Sequence, residues 1–367
     1  MTEQTTRGLE FAVTPNPSPR DNDERERILT APGFGDHFTD HMVEIHWSAG
    51  AGWHSPRVSP YGPIQLDPSA GVFHYGQEIF EGLKAYRHDD GSIWSFRPEE
   101  NAARFQRSAR RMVMPELPAE YFLDSLKQLI AVDGTWVPSD PGTSLYLRPY
   151  MFAEEAFLGV RSSRAFAYYL IASPAGAYFT GGVKPVSIWL SEQWTRAGKG
   201  GTGAAKTGGN YAAGLLPQAE AYNNGCAQVL FLDSVEGKYV EELGGMNVVL
   251  VRNDGSLLTP ASDTILEGIT LKSVLQLAQD AGRDVEQRPV TLDEWREGIA
   301  AGDITEMFAC GTAAAITPIG ELKSAAFTAG DITAPPGKVT MELRQQIADI
   351  QYGRAKDRHN WMYRLDA

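Results

Sequence analysis

A glycine-rich loop with a lysine near its centre constrains this chain more than any other feature of its sequence. The loop runs from Gly198 to Tyr211, and six of its first twelve residues are glycine. Glycine tolerates positive φ and lets the backbone approach a ligand closely. The loop contains Lys206, which is followed closely by Asn210 and Tyr211. A lysine in such a loop is either a contact for a phosphate group or a nucleophilic amine, and the function of the chain depends on which.

Composition favours a globular protein that works in the cytoplasm without nucleic acid or membrane partners. Hydrophobic residues make up 43% of the 367 residues and charged residues 22%, which is ordinary for a globular protein. No apolar run reaches the ~18 residues of a membrane span, and the first residues do not resemble a signal peptide. The net charge of -13 comes without a basic cluster that would bind nucleic acid. Cys226 and Cys310 are expected to be buried, unpaired thiols in a reducing compartment.

The order of predicted strands and helices indicates a mixed α/β or α+β enzyme of two domains. Helices are predicted over 98–112, 118–132, 210–222 and 338–352, and a strand from Ser144 is predicted to end at Pro149. We divide the chain into a loosely ordered N-terminal arm, an N-terminal domain, a linker rich in proline and glycine, and a C-terminal domain. Their predicted bounds are 1–35, 36–173, 174–184 and 185–367.

One interpretation of the loop is a P-loop that binds a nucleotide. Residues Gly200 to Thr207 differ from G-x-x-x-x-G-K-[ST] at one position, because Ala205 stands where the second glycine belongs. A P-loop also follows directly on a buried strand, whereas residues 191–199 are mostly polar. The sequence therefore argues against a P-loop, and a solvated surface loop is the simplest alternative for the loop taken alone.

Other segments of the second half would suit a single cofactor. Glu242 directly precedes a Gly-Gly turn and a strand, and residues 266–272 open a helix whose N-terminal N–H groups suit an anion. Residues 310–315 form a second turn of small residues after a strand. An amine, a carboxylate, a tyrosine and a phosphate cup together indicate a pyridoxal phosphate site.

Seven segments, in order, resemble those of the branched-chain amino-acid aminotransferases, which are fold-type IV pyridoxal phosphate enzymes. The resemblance covers nearly the whole chain and implies a smaller N-terminal α/β domain, a larger C-terminal pseudo-barrel domain and a homodimer. It is carried by Phe80–Tyr86 (FEGLKAY), Asn101–Ser108 (NAARFQRS), Tyr146–Pro149 (YLRP), Lys206–Tyr211 (KTGGNY), Glu242–Asn247 (ELGGMN), Gly268–Thr270 (GIT) and Gly311–Ala313 (GTA).

The resemblance implies a role for each cofactor-binding residue. Lys206 is the catalytic residue, which bonds to pyridoxal phosphate and then moves a proton at the substrate α-carbon. Glu242 would face the pyridine nitrogen, and Tyr211 the phenolic oxygen of the cofactor. The phosphate would be held by Arg104, Ile269, Thr270 and Thr312. Glu241 is expected to be solvated, because adjacent strand residues point to opposite faces.

The resemblance also implies the substrates, which are leucine, isoleucine or valine together with 2-oxoglutarate, in the synthesis or breakdown of branched-chain amino acids. The backbone of Thr312 and Ala313 would bind the α-carboxylate, and Arg148 the distal carboxylate of glutamate. Aromatic candidates for the side-chain pocket are Tyr75, Phe80 and Tyr146, with Tyr169 as a weaker one. No metal site is predicted.

The sequence departs from parts of this family, and other functions stay open. Gly245 stands where some members have threonine, and no C-x-x-C pair follows the turn at 311–313. A D-amino-acid aminotransferase or an aminodeoxychorismate lyase would share the fold type. A nucleotide-binding P-loop protein and a cofactor-binding protein without turnover are the alternatives outside it.

Overall fold

The described residues of the chain divide into two compact units. A computed structural model describes residues 10–176 and 183–367; the first unit comprises 10–176 and 351–367, and the second comprises 183–350. The assignment of 351–367 differs from the sequence-based division, which placed these residues in the C-terminal domain. They join the first unit because a short strand at 362–364 pairs with residues 94–96. Of the predicted linker 174–184, residues 177–182 lie outside the described part.

The first unit is built on a nine-stranded sheet with the order β1-β3-β2-β8-β7-β5-β6-β18, in which β4 also pairs with β7. Its strands are β1 (Ala12–Val13), β2 (His41–Ser48), β3 (Gly52–Pro60), β4 (Glu78–Phe80), β5 (Leu83–Arg87), β6 (Ile93–Phe96), β7 (Ser144–Ala153), β8 (Ala165–Ala175) and β18 (Met362–Arg364). Its helices are α1 (Asn22–Thr30), α2 (Gly71–Tyr75), α3 (Pro98–Arg111) and α4 (Ala119–Asp133), with a 3-10 turn at Gly134–Trp136.

Helices α3 and α4 cover one face of this sheet. Both were predicted from the sequence to within one residue at each end, and both carry apolar residues at helical spacing. Phe105 of α3 and Phe122 of α4 are fully buried, and their ring centroids lie 5.7 Å apart. Burial of each such side chain contributes about 1.5–3 kcal/mol. The packing fixes the face of α3 that carries Arg104, which is also buried.

The sequence predicts a loosely ordered N-terminal arm, but the described residues of this arm form regular structure and make defined contacts. Helix α1 begins after Asp21, whose carboxylate accepts a hydrogen bond from the Glu24 N–H at 2.8 Å. Asn16 donates its backbone N–H to His41 Nε2 at 2.9 Å, and Arg20 donates to the Phe38 carbonyl at 2.7 Å. These contacts tie residues 16–20 to the start of β2 and to the segment before it.

Strand β7 continues past Pro149, where the sequence analysis expected it to end. Proline lacks an N–H, so it interrupts a ladder only where that donor is needed. On one side of β7 the pairing changes from β5 to β4 near this position, and the Pro149 carbonyl accepts from the Glu81 N–H at 2.7 Å. The missing donor therefore falls between two partner strands.

The second unit contains another nine-stranded sheet, with the order β11-β10-β9-β16-β15-β12-β13-β14, in which β17 pairs with β16. Its strands are β9 (Val186–Ser191), β10 (Gln228–Leu232), β11 (Val240–Leu243), β12 (Asn247–Arg252), β13 (Leu257–Pro260), β14 (Val285–Arg288), β15 (Ile304–Gly311), β16 (Ala315–Lys323) and β17 (Thr328–Gly330). Its helices are α5 (Gly208–Ala213), α6 (Leu215–Asn223), α7 (Ile269–Asp280), α8 (Leu292–Ala301) and α9 (Lys338–Gln351).

Strands β9, β10, β12, β15 and β16 carry the core of this unit. Trp295 of α8 is fully buried against it and donates its indole N–H to Met307 Sδ at 2.9 Å. Cys226 and Cys310 are buried and unpaired, as predicted. The helix predicted over 210–222 is interrupted at Gly214 and forms α5 and α6. Among the helices described, none has the length and apolar character needed to cross a membrane.

Candidate active site

The glycine-rich loop is held in shape by the buried side chain of Asn210. Asn210 Nδ2 donates to the carbonyls of Thr202 and Ala205 at 2.8 and 2.9 Å, and its Oδ1 accepts from Thr202 Oγ1 at 2.7 Å. Gly203 lies so close to the carbonyl of Thr264 that a Cβ atom there would be 2.2 Å from that oxygen. The loop therefore has one defined conformation, and glycine is required at position 203.

Replacing Asn210 with alanine is expected to destabilise the protein. Three hydrogen bonds, one buried and two partly buried, at about 1 kcal/mol each predict a loss of about 2–3 kcal/mol. The unfolding temperature of the cofactor-free protein should fall by about 3–4 °C, measured by calorimetry, because the unfolding entropy of a chain of this length is about 0.8 kcal/mol/K. Asn224→Ala is a matched control, because its exposed amide donates one bond to the Glu220 carbonyl. An equal decrease in both variants would show that Asn210 does not fix the loop.

The loop places Lys206 next to Tyr211. Lys206 Nζ donates to the Tyr211 hydroxyl at 2.6 Å, and both side chains are half-buried. Tyr211 lies on α5, the first helix after the loop, so its position is set by a regular element. The two residues chosen from the sequence as amine and phenol are thus in direct contact. The strand before the loop, β9, ends at Ser191, well before Gly200, so the geometry of a P-loop is absent here.

Glu242 is a buried carboxylate at the same end of the second unit. It lies on β11, is 4% exposed, and its Oε1 accepts from the Leu266 N–H and from Arg196 Nη2, both at 2.8 Å. Its Oε2 has a longer contact with Asn247 Nδ2 at 3.3 Å. Burial raises the pKa of Glu242 to about 7, although the charges of Arg196 and Lys206 act in the opposite direction. A further positively charged group next to Glu242 would stabilise the ionised form of this carboxylate.

Glu241 is buried too, which corrects the expectation that it is solvated. It is 2% exposed and accepts a short hydrogen bond from Thr264 Oγ1. Burial raises its pKa. The alternation of faces fails as a guide to solvation here because all four residues of β11 are buried, so both faces of the strand are covered.

The N-terminus of α7 presents backbone N–H groups that its N-cap residue does not cap with a side chain. Its N-cap is Gly268, which makes no side-chain capping bond, and Ile269 and Thr270 are the first two residues of the helix. Such N–H groups suit an anion. A Cβ atom at Gly268 would lie 2.0 Å from Asn247 Oδ1, so glycine is needed for the approach of Asn247, which also contacts Glu242.

The turn containing Thr312 and Ala313 joins β15 to β16. Gly311 pairs with Ala315, which has φ 56°, so the chain reverses tightly between them. Arg344 of α9 donates hydrogen bonds to the carbonyls of Ala314 and Ile316 and so stabilises the turn. Arg344 could not be identified from the sequence, because nothing in the local sequence around Arg344 connects this residue with a turn 30 residues away.

In the first unit, Arg104 forms a buried ion pair with Glu81. Arg104 Nε and Nη2 donate to the two oxygens of Glu81 at 2.7 and 2.9 Å, and Asn101 Nδ2 donates to Glu81 Oε2 at 2.7 Å. Glu81 is fully buried and Arg104 is 5% exposed. The pair connects two segments that the sequence analysis treated separately. Glu81 fixes the direction of the guanidinium, and sequence reasoning did not assign it a role.

Of the substrate-binding candidates in the first unit, Arg148 contacts both Phe80 and Tyr146, whereas Tyr75 has other partners. Arg148 packs over Phe80 and Tyr146, with its guanidinium carbon 4.9 and 5.3 Å from the ring centroids, and donates to the Tyr146 hydroxyl at 3.1 Å. Tyr75 does not join them, because its hydroxyl donates to the Leu158 carbonyl at 2.5 Å and its ring contacts Phe157.

A cavity of about 290 Å³ is lined by Arg148 and Tyr146 together with aromatic residues that the sequence analysis did not select. These are Phe34 and Phe38, and Phe34 meets Tyr146 edge-on at 5.1 Å. The weaker candidate Tyr169 is 5% exposed and stacks on Tyr150 and Phe152, so it belongs to a packed cluster.

Comparisons with known proteins give a consistent result over nearly the whole chain. Residues 78–322 match the model of the amino-transferase class IV family. The branched-chain-amino-acid aminotransferases of Mycolicibacterium smegmatis and Mycobacterium tuberculosis are 58% and 56% identical, each over 98% of this chain and over 99% and 100% of their own length.

Solved structures agree with these relatives. The branched-chain amino acid aminotransferase of Escherichia coli superposes with a TM-score of 0.72 at 25% identity, covering 88% of this chain and 99% of that one. The enzyme of Thermobaculum terrenum, solved in its PLP-bound holo form, gives a TM-score of 0.71 at 25% identity over 89% of this chain and 98% of that one. The predicted fold type is thereby confirmed.

Proposed function

Since the chain belongs to the class IV amino-transferases, and within them to the branched-chain-amino-acid aminotransferases, we propose that it exchanges amino groups between branched-chain L-amino acids and 2-oxoglutarate. Leucine, isoleucine and valine are the amino donors, and branched 2-oxo acids and L-glutamate are the products. The observation that carries the proposal is the group formed by Lys206, Tyr211 and the buried Glu242 within one unit.

The residues of the second unit fit pyridoxal 5'-phosphate. Among the described residues, Oε2 of the buried Glu242 has only the 3.3 Å contact with Asn247, which leaves it suited to the N–H of a protonated pyridine ring. The N–H groups of Ile269 and Thr270 suit a phosphate. Thr312 would add a hydroxyl. Arg104 stays the candidate guanidinium for the phosphate, and within the first unit Glu81 already orients it. When bound, the cofactor supplies an aldehyde for the amine and a ring that accepts electrons from the substrate α-carbon.

Lys206 is the residue to which we assign both the covalent attachment of the cofactor and the proton transfer at the substrate. Its Nζ would hold the cofactor covalently, and the same amine is placed to act as the base that would take the proton from the substrate α-carbon. Tyr211 holds Nζ through its hydroxyl, so the amine stays in one place while it changes roles. The backbone of Thr312 and Ala313 binds the α-carboxylate.

Arg148 allows the protein to accept both an acidic and an apolar partner. Its guanidinium stacks on Phe80 and Tyr146, which leave an apolar wall beside a single positive charge. A charged hydrogen bond contributes about 1.5–3 kcal/mol, and burial of a leucine side chain about the same. We propose that the distal carboxylate of 2-oxoglutarate binds Arg148 and that the branched side chains lie on the aromatic wall.

Arg148→Gln is therefore expected to separate the two substrates. The KM for 2-oxoglutarate should rise by about 10-fold or more, as expected for the loss of ~1.5–3 kcal/mol, while the KM for leucine changes little. Steady-state kinetics with each substrate varied in turn measures this. Arg164→Gln, at an exposed arginine of the same unit, serves as the control. Equal increases for both substrates would contradict the assignment of Arg148.

The amino-donor profile with 2-oxoglutarate tests the function as a whole. We expect turnover with L-leucine, L-isoleucine and L-valine and none with D-alanine. Activity with D-alanine alone would indicate a D-amino-acid aminotransferase, and cofactor binding without turnover would refute the proposal.

We also propose that the protein is a homodimer and that it works in the cytoplasm. Exposed apolar side chains, including Leu158, Val160, Leu215 and Leu216, favour association, and the two free, buried cysteines suit a reducing compartment. Light scattering on the purified protein would measure the oligomeric state.

A further inference from the structure

The structure assigns Arg196 the role of a positioning residue, which fixes the Glu242 carboxylate and the glycine-rich loop in the arrangement that receives the cofactor. Arg196 lies in the segment between β9 and the loop, and it belongs to none of the seven segments that identified the family. This inference rests on the proposed function, because it concerns the carboxylate that would face the cofactor ring.

The guanidinium of Arg196 joins three separate parts of the second unit. Its Nη2 lies 2.8 Å from Glu242 Oε1 and donates to the Gly203 carbonyl at 3.0 Å and to the Thr264 carbonyl. Arg196 is 5% exposed, so these contacts are shielded from water. Because Gly203 belongs to the loop of Lys206, one side chain sets both the carboxylate and the loop that carries the amine.

This contact also determines which oxygen of Glu242 is available. Oε1 is taken by Arg196 and by the Leu266 N–H, whereas Oε2 has only the 3.3 Å contact with Asn247 among the bonds described. The carboxylate cannot rotate without losing both Oε1 contacts. Oε2 is therefore the oxygen that would be available to the ring nitrogen.

Arg196 also provides the positive charge that two buried acids require. Glu241 and Glu242 are both almost fully buried, and the Oε2 of Glu241 is buried without a hydrogen-bond partner. The guanidinium acts on both carboxylates, Lys206 acts on Glu242, and the Cys310 thiol also faces Glu242. A buried carboxylate that loses its cation becomes protonated instead of remaining charged. Without Arg196, Glu242 would stop holding a proton on the ring nitrogen.

The test compares Arg196→Gln, Arg196→Lys and the control Arg288→Gln in three measurements. Arg288 pairs with Glu286 and Glu294, so its replacement removes arginine–glutamate pairs of the same unit that are partly exposed and do not involve Glu242 or the loop. The measurements are the Kd of the cofactor-free protein for pyridoxal phosphate, the pH dependence of the absorbance of the bound cofactor, and the unfolding temperature of the cofactor-free protein.

We expect Arg196→Gln to raise the Kd by about 10- to 100-fold, which is the typical effect of removing a residue that orients a ligand-binding group. The pH dependence of the cofactor absorbance should shift as well. Arg196→Lys should show smaller changes in Kd and pH dependence than Arg196→Gln, because lysine keeps the positive charge but lacks the several N–H donors of the planar guanidinium. Arg288→Gln should match the wild type. In a Glu242→Gln background, Arg196→Gln should no longer shift the pH dependence.

An unchanged Kd and pH dependence in Arg196→Gln would overturn the inference, as would the same shift in the Glu242→Gln background. If Arg196→Gln does not fold, Arg196→Lys decides, and wild-type affinity and pH dependence in that variant would overturn it. If the wild type itself does not bind pyridoxal phosphate, the proposed function fails and not only the role of Arg196.

Discussion

Lys206→Ala is expected to lose transaminase activity by at least about 10⁴-fold, because proton transfer by a positioned group alone contributes ~10²–10⁴-fold. The variant loses both the amine that bonds to the cofactor and the base that acts at the substrate α-carbon. Tyr211, now without its 2.6 Å partner, cannot replace the covalent role, because a phenol does not form an imine with an aldehyde. Single-turnover experiments with L-isoleucine measure the loss directly.

Lys199→Ala is the control for this result. Lys199 lies in the same glycine-rich loop, but its side chain is exposed. Its replacement should leave kcat within about a factor of two, since surface substitutions usually change stability by less than ~0.5 kcal/mol. Substantial residual turnover in Lys206→Ala would show that another residue moves the proton.

Glu242→Gln is expected to lower kcat by about 10²–10³-fold, comparable with the loss of one preorganised electrostatic contact in other enzymes. An amide can accept a hydrogen bond from the ring nitrogen but carries no charge to keep it protonated. The loss should appear in kcat more than in KM, because the effect is largest when charge develops at the α-carbon. Steady-state kinetics and the absorbance of the bound cofactor as a function of pH measure it.

The matched control for Glu242 is its neighbour, Glu241. Both acids are buried on β11, but Glu241 bonds to Thr264 while Glu242 bonds to Arg196 and Leu266. Glu241→Gln keeps the shape of the side chain and should keep kcat near the wild-type value. A larger loss in Glu241→Gln than in Glu242→Gln would mean that the two roles have been exchanged.

Features that depend on local sequence could be predicted well. Helices α3 and α4 follow from apolar spacing, with Pro98 at the start of α3, and the contact between Lys206 and Tyr211 spans only five residues. Because a loop and its following helix are adjacent in the chain, a motif of six residues specifies both partners.

Features that depend on distant pairing could not be predicted. Glu81 and Arg104, or Arg196 and Glu242, meet only after folding, and a single sequence does not reveal which acid faces which arginine. The grouping of the C-terminal residues with the first unit differs from the predicted division for the same reason, because β18 pairs with β6, which lies far earlier in the chain. Glu241 was misjudged because strand alternation predicts solvation only when one face of the sheet is open.

The most direct test of the account is to identify the lysine that bonds to the cofactor. The holoenzyme is reduced with borohydride, digested, and analysed by mass spectrometry for the peptide that carries the phosphopyridoxyl group. We predict that the group is found on Lys206 within the segment 200–211. Attachment to Lys199, Lys184 or any other lysine, with Lys206 unmodified, would contradict the assignment of Lys206 as the lysine that holds the cofactor.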